Sequence, residues 1–211
     1  MNKAKLFAII VLLFSFGTAI YFYPFVPAQM ASHWDAQGMV NGYMSKFWGL
    51  FLIPVLMFVL TLLFFFIPKI DPERKNIEKF KGTFDSFIVV FNLFMLYVYI
   101  LTVLWNIGYS INMIAALMPA FAVLFFSAGS LIGKAKRNYT IGIRTPWTLA
   151  SDVVWDKTHK IGEILFKLTG LITLLGTFFN QYALWFLFIP LISSILYLLV
   201  YSYLEYQKVK Q

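Results

Sequence analysis

Phe47-Trp48-Gly49-Leu50-Phe51-Leu52-Ile53-Pro54-Val55-Leu56-Met57-Phe58-Val59-Leu60-Thr61-Leu62-Leu63-Phe64-Phe65-Phe66-Ile67 is a run of 21 residues without a charged side chain. As a helix it would span about 31 Å, enough to cross the hydrocarbon core of a bilayer. Inside lipid no water can satisfy the peptide groups, so such a segment must close its own backbone hydrogen bonds as a helix. Five further apolar runs behave alike: 6–23, 87–105, 111–132, 168–182 and 183–204. The run 168–182 is short by itself. It becomes adequate when residues 164–167 form its first turn, with Lys167 reaching the interface and Glu163 as its i,i+4 partner. The first run exceeds a signal-peptide core and is followed by the bulky Tyr21-Phe22-Tyr23, so it reads as a retained anchor.

Composition agrees. Of 211 residues 61% are hydrophobic, 24 are Phe and only 12% are charged, about half the charged share of a soluble domain. A soluble globular chain or a disordered one is excluded. The absence of Cys removes disulfides, thiolate metal sites and Cys nucleophiles. Sixteen of the 17 Lys and Arg border alternate connections, and Lys46 alone lies on the other side. The positive-inside rule then predicts an all-α polytopic protein of the cell membrane: a bundle of six transmembrane helices with both termini cytoplasmic. A different span count would scramble the alternation.

The expected organisation is an N-terminal hairpin over 1–67 with an extracytoplasmic loop at 24–46, a solvated cytosolic linker over 68–83, and a membrane region over 84–211 with a cytosolic loop at 133–163. Pro54, Pro119 and Pro190 each fall about eight residues into an outward-starting helix, where a kink would form. They suggest three related hairpins, although proline is common in membrane helices.

The outer loop runs from Pro27 to Lys46. Gly38 and Asn41-Gly42 are turn signals, Ser45 suits the N-cap of the second span, and Trp34 and Tyr43 are interfacial aromatics. One reading is an ordered interfacial loop, the other a recognition surface. His33 and Asp35, one residue apart, are too few to define a metal site, and no metal is expected.

The inner loop contains Asn138-Tyr139-Thr140-Ile141-Gly142-Ile143-Arg144-Thr145-Pro146-Trp147-Thr148-Leu149. Pro146 biases Thr145 away from helix, and Ser151 can cap a helix starting at the acidic Asp152. On that helix Trp155, His159, Gly162 and Phe166 share a face, Asp156 and Lys160 are an i,i+4 pair elsewhere, and the helix runs on into span five. Either this face packs on the bundle with Arg144 saturated locally, or Arg144 with Thr145 and Thr148 reads a partner or an anionic group.

Together the loops resemble the SdpI-like family, immunity proteins of a sporulation-delaying peptide toxin system. The outer loop is similar to the associated N-terminal domain of unknown function through Pro27, His33-Trp34, Gly38, Gly42-Tyr43 and Ser45-Lys46. The inner loop is similar through residues 138–149, then Ser151, Trp155, Lys157-Thr158-His159 and Gly162. Glu163 departs from a position where relatives often carry Gly. The resemblance implies a prokaryotic plasma-membrane protein without enzymatic chemistry or cofactor. It implies protection against a secreted peptide toxin, and retention of a small transcriptional repressor at the membrane. It also implies a recognition loop of Pro27, His33, Trp34, Gly38, Gly42, Tyr43, Ser45 and Lys46. The implied cytosolic motif is Gly142, Arg144, Thr145, Pro146, Trp147, Thr148, Trp155, Thr158, His159 and Gly162.

The competing function is a small-solute transporter or channel. It would need polar groups at mid-bilayer, where only Asn92, Thr173, Thr177, Ser193 and Ser194 offer themselves. An enzyme lacks a carboxylate pair, metal cluster or Ser-His arrangement, and His33 and His159 are expected on opposite sides of the membrane. The basic residues border spans, where lipid head groups explain them. Direct nucleic-acid contact is therefore not expected, while an oligomer is compatible with the sequence.

Overall fold

The computed structural model describes residues 3–210. The elements in chain order are α1 (Lys3–Phe22), β1 (Gln29–Trp34), β2 (Val40–Ser45), α2 (Lys46–Ile70), α3 (Arg74–Glu78), α4 (Lys81–Asn106), α5 (Met113–Lys134), α6 (Pro146–Ala150), α7 (Asp152–Leu175) and α8 (Ala183–Lys210). Six helices are long and apolar enough to cross a membrane: α1, α2, α4, α5, α7 with the 3₁₀ turn after it, and α8 with the 3₁₀ turn before it. Only 22–33% of each span is buried within the molecule, and the remaining faces carry exposed Leu, Ile and Phe side chains that lipid would cover.

Two differences from expectation bear on function. The outer segment is an antiparallel β-hairpin, so the fold is not purely helical. The stretch expected as a solvated linker is exposed over most of its length but is anchored to the bundle by three buried side chains. α2 continues through Pro68 to Ile70, and Asp71, Ile77 and Phe80 are all buried. Ile77 and Phe80 fill the bundle end while the Lys and Arg side chains of that stretch face out; Asp71 is the charge that turns inward.

The first three spans pack on one another, as do the last three, and α4 joins the halves against α5. Polar pairs, one buried and one exposed, tie helices together. Thr61 Oγ1 of α2 donates to Asn92 Oδ1 of α4 at 3.0 Å, and Tyr97 Oη of α4 donates to the Ala116 carbonyl of α5 at 3.0 Å. Small residues let α5 and α7 approach closely. A Cβ added to Gly170 would lie 2.7 Å from the Ala122 carbonyl oxygen, and one added to Gly133 would collide with the Glu163 carboxylate. Glu163 thus lies in the notch at Gly133 and pairs with Lys167 as expected. At the hairpin end Ala19, Val26, Met30, Leu50, Tyr99 and Val103 form one core. At the opposite end Ala8, Ile77, Phe84, Leu131, Ile141 and Trp155 form another, spanning both halves.

Candidate functional site

The structure holds the two sequence motifs at opposite ends of the bundle, each on a rigid support. At one end β1 and β2 pair with Met30 opposite Met44 and Ala31 opposite Tyr43, and the register shifts around Ser32 and His33. Asp35 makes the turn: its Oδ1 accepts the N–H groups of Gln37 and Met39, both at 2.9 Å, while Gly38 takes φ +79°. Asp35 is therefore a turn residue. Its expected neighbour His33 is exposed and turns instead to Asn41, Nδ1 to Oδ1 2.5 Å.

The hairpin is anchored by one fully buried side chain and one amide. Met30 packs against Gly49, where an added Cβ would fall 2.6 Å from Sδ. Asn106, at the end of α4, substitutes for a neighbouring strand. Its Oδ1 accepts the Ala31 N–H at 2.8 Å, and its Nδ2 donates to the Ala31 carbonyl at 3.1 Å. Trp34 meets Trp105 edge-on with ring centroids 5.7 Å apart. Lys46 lies over the Tyr23 ring at 4.5 Å. Gly42 lets β2 approach His33, since a Cβ there would sit 2.9 Å from His33 Cβ. Ser45 occupies the N-cap position of α2, but its hydroxyl makes no capping bond; the Lys46 N–H is instead taken by the Ala28 carbonyl at 3.0 Å. Pro27 is exposed at the entry to the hairpin. Beneath β1 a cavity of about 330 Å³ lies between the hairpin and α2, α4 and α5, with Ser32, His33, Trp48 and Thr102 in its wall.

At the opposite end the residues from Asn138 to Gly162 form a densely hydrogen-bonded knot. Asn138 is fully buried: its Oδ1 accepts the Thr140 and Ile141 amides at 2.9 and 2.6 Å, and its Nδ2 donates to the Lys136 and Ile141 carbonyls. Gly142 takes φ +114° directly against His159 and Trp155. The Trp155 ring stacks on His159 at 3.9 Å and donates Nε1–H to the Ala135 carbonyl at 2.8 Å. His159 lies between two backbone partners: Nδ1 is 2.8 Å from the Trp155 carbonyl and Nε2 is 3.0 Å from the Ile143 amide nitrogen. That geometry assigns the proton to Nδ1 and leaves Nε2 as an acceptor. A second proton would set two donors face to face.

Thr145 and Thr148 form a reciprocal cap on α6, with Pro146 at its first position. Both hydroxyls are buried; Thr145 also reaches Ser202 of α8 at 3.1 Å, and Thr148 the Ile143 carbonyl at 2.8 Å. Gly162 accommodates Ile143, and Thr158 is buried with its hydroxyl unpartnered. Trp147 meets Tyr203 of α8. Arg144 is exposed, as are Tyr139 and Pro146 beside it. Its Nη1 donates to the Tyr139 carbonyl at 2.5 Å, and no carboxylate pairs with it among the described residues. The expected Asp156–Lys160 pair does not form, because Asp156 reaches across to Lys136 at 3.1 Å. Arg137 takes Asp152 at 2.5 Å, which pushes its pKa further up, and Glu205 is held between Lys157 and Lys208.

The residue that sequence reasoning missed is Asp71. Its Oδ2 accepts the Tyr139 N–H at 3.0 Å and the Thr140 hydroxyl at 2.7 Å, and its Oδ1 accepts the Glu73 N–H at 2.7 Å. Asn76 adds a bond to the Arg137 carbonyl at 2.8 Å. The end of α2 thereby grips the loop that carries Arg144. The one available signal was Asp71-Pro72, an acid before proline at a helix end.

Comparison with known proteins matches residues 10–58 to a domain of unknown function (DUF1648) and residues 134–202 to the SdpI/YfhL protein family. The first region contains the hairpin and the second the Arg144 knot. Over 207 residues the chain is 26% identical to the protein named Immunity protein SdpI from Bacillus subtilis (strain 168), covering 98% of this chain and 97% of that one. No solved structure matches the chain significantly.

Proposed function

From its SdpI/YfhL-family sequence on a multi-pass membrane fold, we propose that this chain is a cell-membrane immunity protein that protects against a secreted peptide toxin. The observation that carries this reading is the likeness to a protein of that name across nearly the whole length of both chains. The termini, Asp71 and Arg144 lie in the cytoplasm and the hairpin outside, supported by the clustering of basic residues at one end. The hairpin is the peptide-facing element. The Arg144 surface is the docking point for a small cytosolic repressor.

A physical route between the two exists. α2 starts at the hairpin and ends at Asp71, a 25-residue rod of about 37 Å. A peptide that favours one hairpin arrangement over another biases α2, and α2 biases the loop through Asp71. Equal affinity for both arrangements would transmit nothing. The test is a pair of strains, with and without the gene, challenged with secreted peptides, together with a reporter for a membrane-held repressor. Survival should require the gene. Equal killing of both strains by every peptide would sink the reading.

A further inference from the structure

The hairpin has two long edges, and they are treated differently. Ala31 points its N–H and C=O away from β2, and Asn106 takes both. In an antiparallel ladder directly opposed residues point the same way, inward or outward. Tyr43, opposite Ala31, therefore points its own N–H and C=O away from β1, and Ser45, opposite Gln29, does the same with its N–H. The Lys46 amide bonding to the Ala28 carbonyl fixes this alternation. No third strand follows among the described residues. Proteins usually guard such an edge with charges, proline or a short strand. Here Val40-Asn41-Gly42-Tyr43-Met44-Ser45 carries no charge and no proline. Tyr43 and Met39 are more than 60% exposed beside it, and Phe47 and Trp48 continue the exposed aromatic flank onto α2. A groove of about 790 Å³ lies between the hairpin and the connection after α4, with Met39, Val40, Tyr43, Asn106 and Tyr109 in its wall.

We propose that the outward edge of β2 is a peptide-binding site, which takes an extended, uncharged peptide segment as a third strand. The Tyr43 N–H and C=O and the Ser45 N–H supply main-chain hydrogen bonds two residues apart, the spacing strand addition requires. The exposed aromatics and the groove take alternate apolar side chains of the incoming strand. An uncharged edge flanked by aromatics selects an apolar peptide over an acidic or basic one. This inference rests on the immunity reading only for the identity of the natural ligand.

The experiment uses the full chain in lipid nanodiscs and the uncharged strand former acetyl-Val-Thr-Val-Thr-Val-amide as probe, with amide hydrogen exchange as readout. In the free protein the Tyr43 and Ser45 amides exchange fast and the Met44 amide, bonded within the ladder, exchanges slowly. Near-saturating probe should slow Tyr43 and Ser45 by about tenfold, the factor for roughly nine-tenths occupancy, and leave Met44 unchanged. Tyr43→Pro removes the outward donor without touching the β1 ladder, which Met44 protection verifies. It should bind the probe at least about tenfold more weakly than Tyr43→Val, which keeps the N–H. Unchanged exchange with probe overturns the proposal. So does protection without probe that grows with protein concentration, because a second copy would then cover the edge. If the gene protects cells from no peptide, the immunity reading falls while the exchange result decides the edge on its own.

Discussion

At Gly142 an added Cβ would fall 2.4 Å from His159 Nε2 and 3.2 Å from the Trp155 ring, on a backbone already at φ +114°. Gly142→Ala therefore combines a clash with left-handed strain, and it should cost about 2–4 kcal/mol, read as a lowered unfolding temperature in detergent. Arg144 belongs to a different class. It is exposed and holds one carbonyl, so Arg144→Ala should leave membrane levels and unfolding temperature near wild type while impairing protection or signalling. Wild-type protection by that variant would remove Arg144 from the mechanism. Thr145→Ala reverses the pattern by removing a cap and a bond to Ser202, with about 1–2 kcal/mol lost from the fold. Much of this end was legible in sequence: Ser151 caps α7 through the Val154 amide, and Trp155, His159 and Gly162 share its buried face. The identity of Arg144's neighbours was not. Thr145 and Thr148 spend their hydroxyls on the fold, and such tertiary bonding leaves no trace in spacing.

Among the elements, run length and charge gaps revealed all six spans because lipid permits few alternatives to a helix. The hairpin escaped notice, because the shift at Ser32 and His33 breaks the period-two pattern and each strand has only six residues. Asp71 escaped because Pro68 reads as a helix end, whereas packing carries α2 past it. The contact between α5 and α7 offers a test at this scale. Glu163 fills the notch at Gly133, so Gly133→Val should destabilise the protein and Glu163→Gly should relieve most of that loss. A double-mutant cycle should give a coupling of about 1–3 kcal/mol. Strict additivity would mean that the notch does not set helix spacing.

For the molecule as a whole, the lack of Cys makes single introduced thiols unambiguous reporters. Gln37, exposed at the hairpin turn, and Ala150, exposed at the end of α6, lie at opposite ends of the bundle. Gln37→Cys should label from outside intact cells with a membrane-impermeant maleimide, and Ala150→Cys only after permeabilisation. Labelling of both from one side would invert or break the orientation drawn from the basic residues.

Asp71 and Tyr139 are 68 residues apart in the chain. When α2 leaves the ribosome, the amide and hydroxyl that will fill its terminal carboxylate have yet to be translated. The nascent N-terminal half must wait with that acid hydrated, and the later half arrives as its missing ligand. Two polypeptides made separately, divided within 107–112, should therefore find each other in the membrane and co-purify, and Asp71→Ala in the first should loosen their hold.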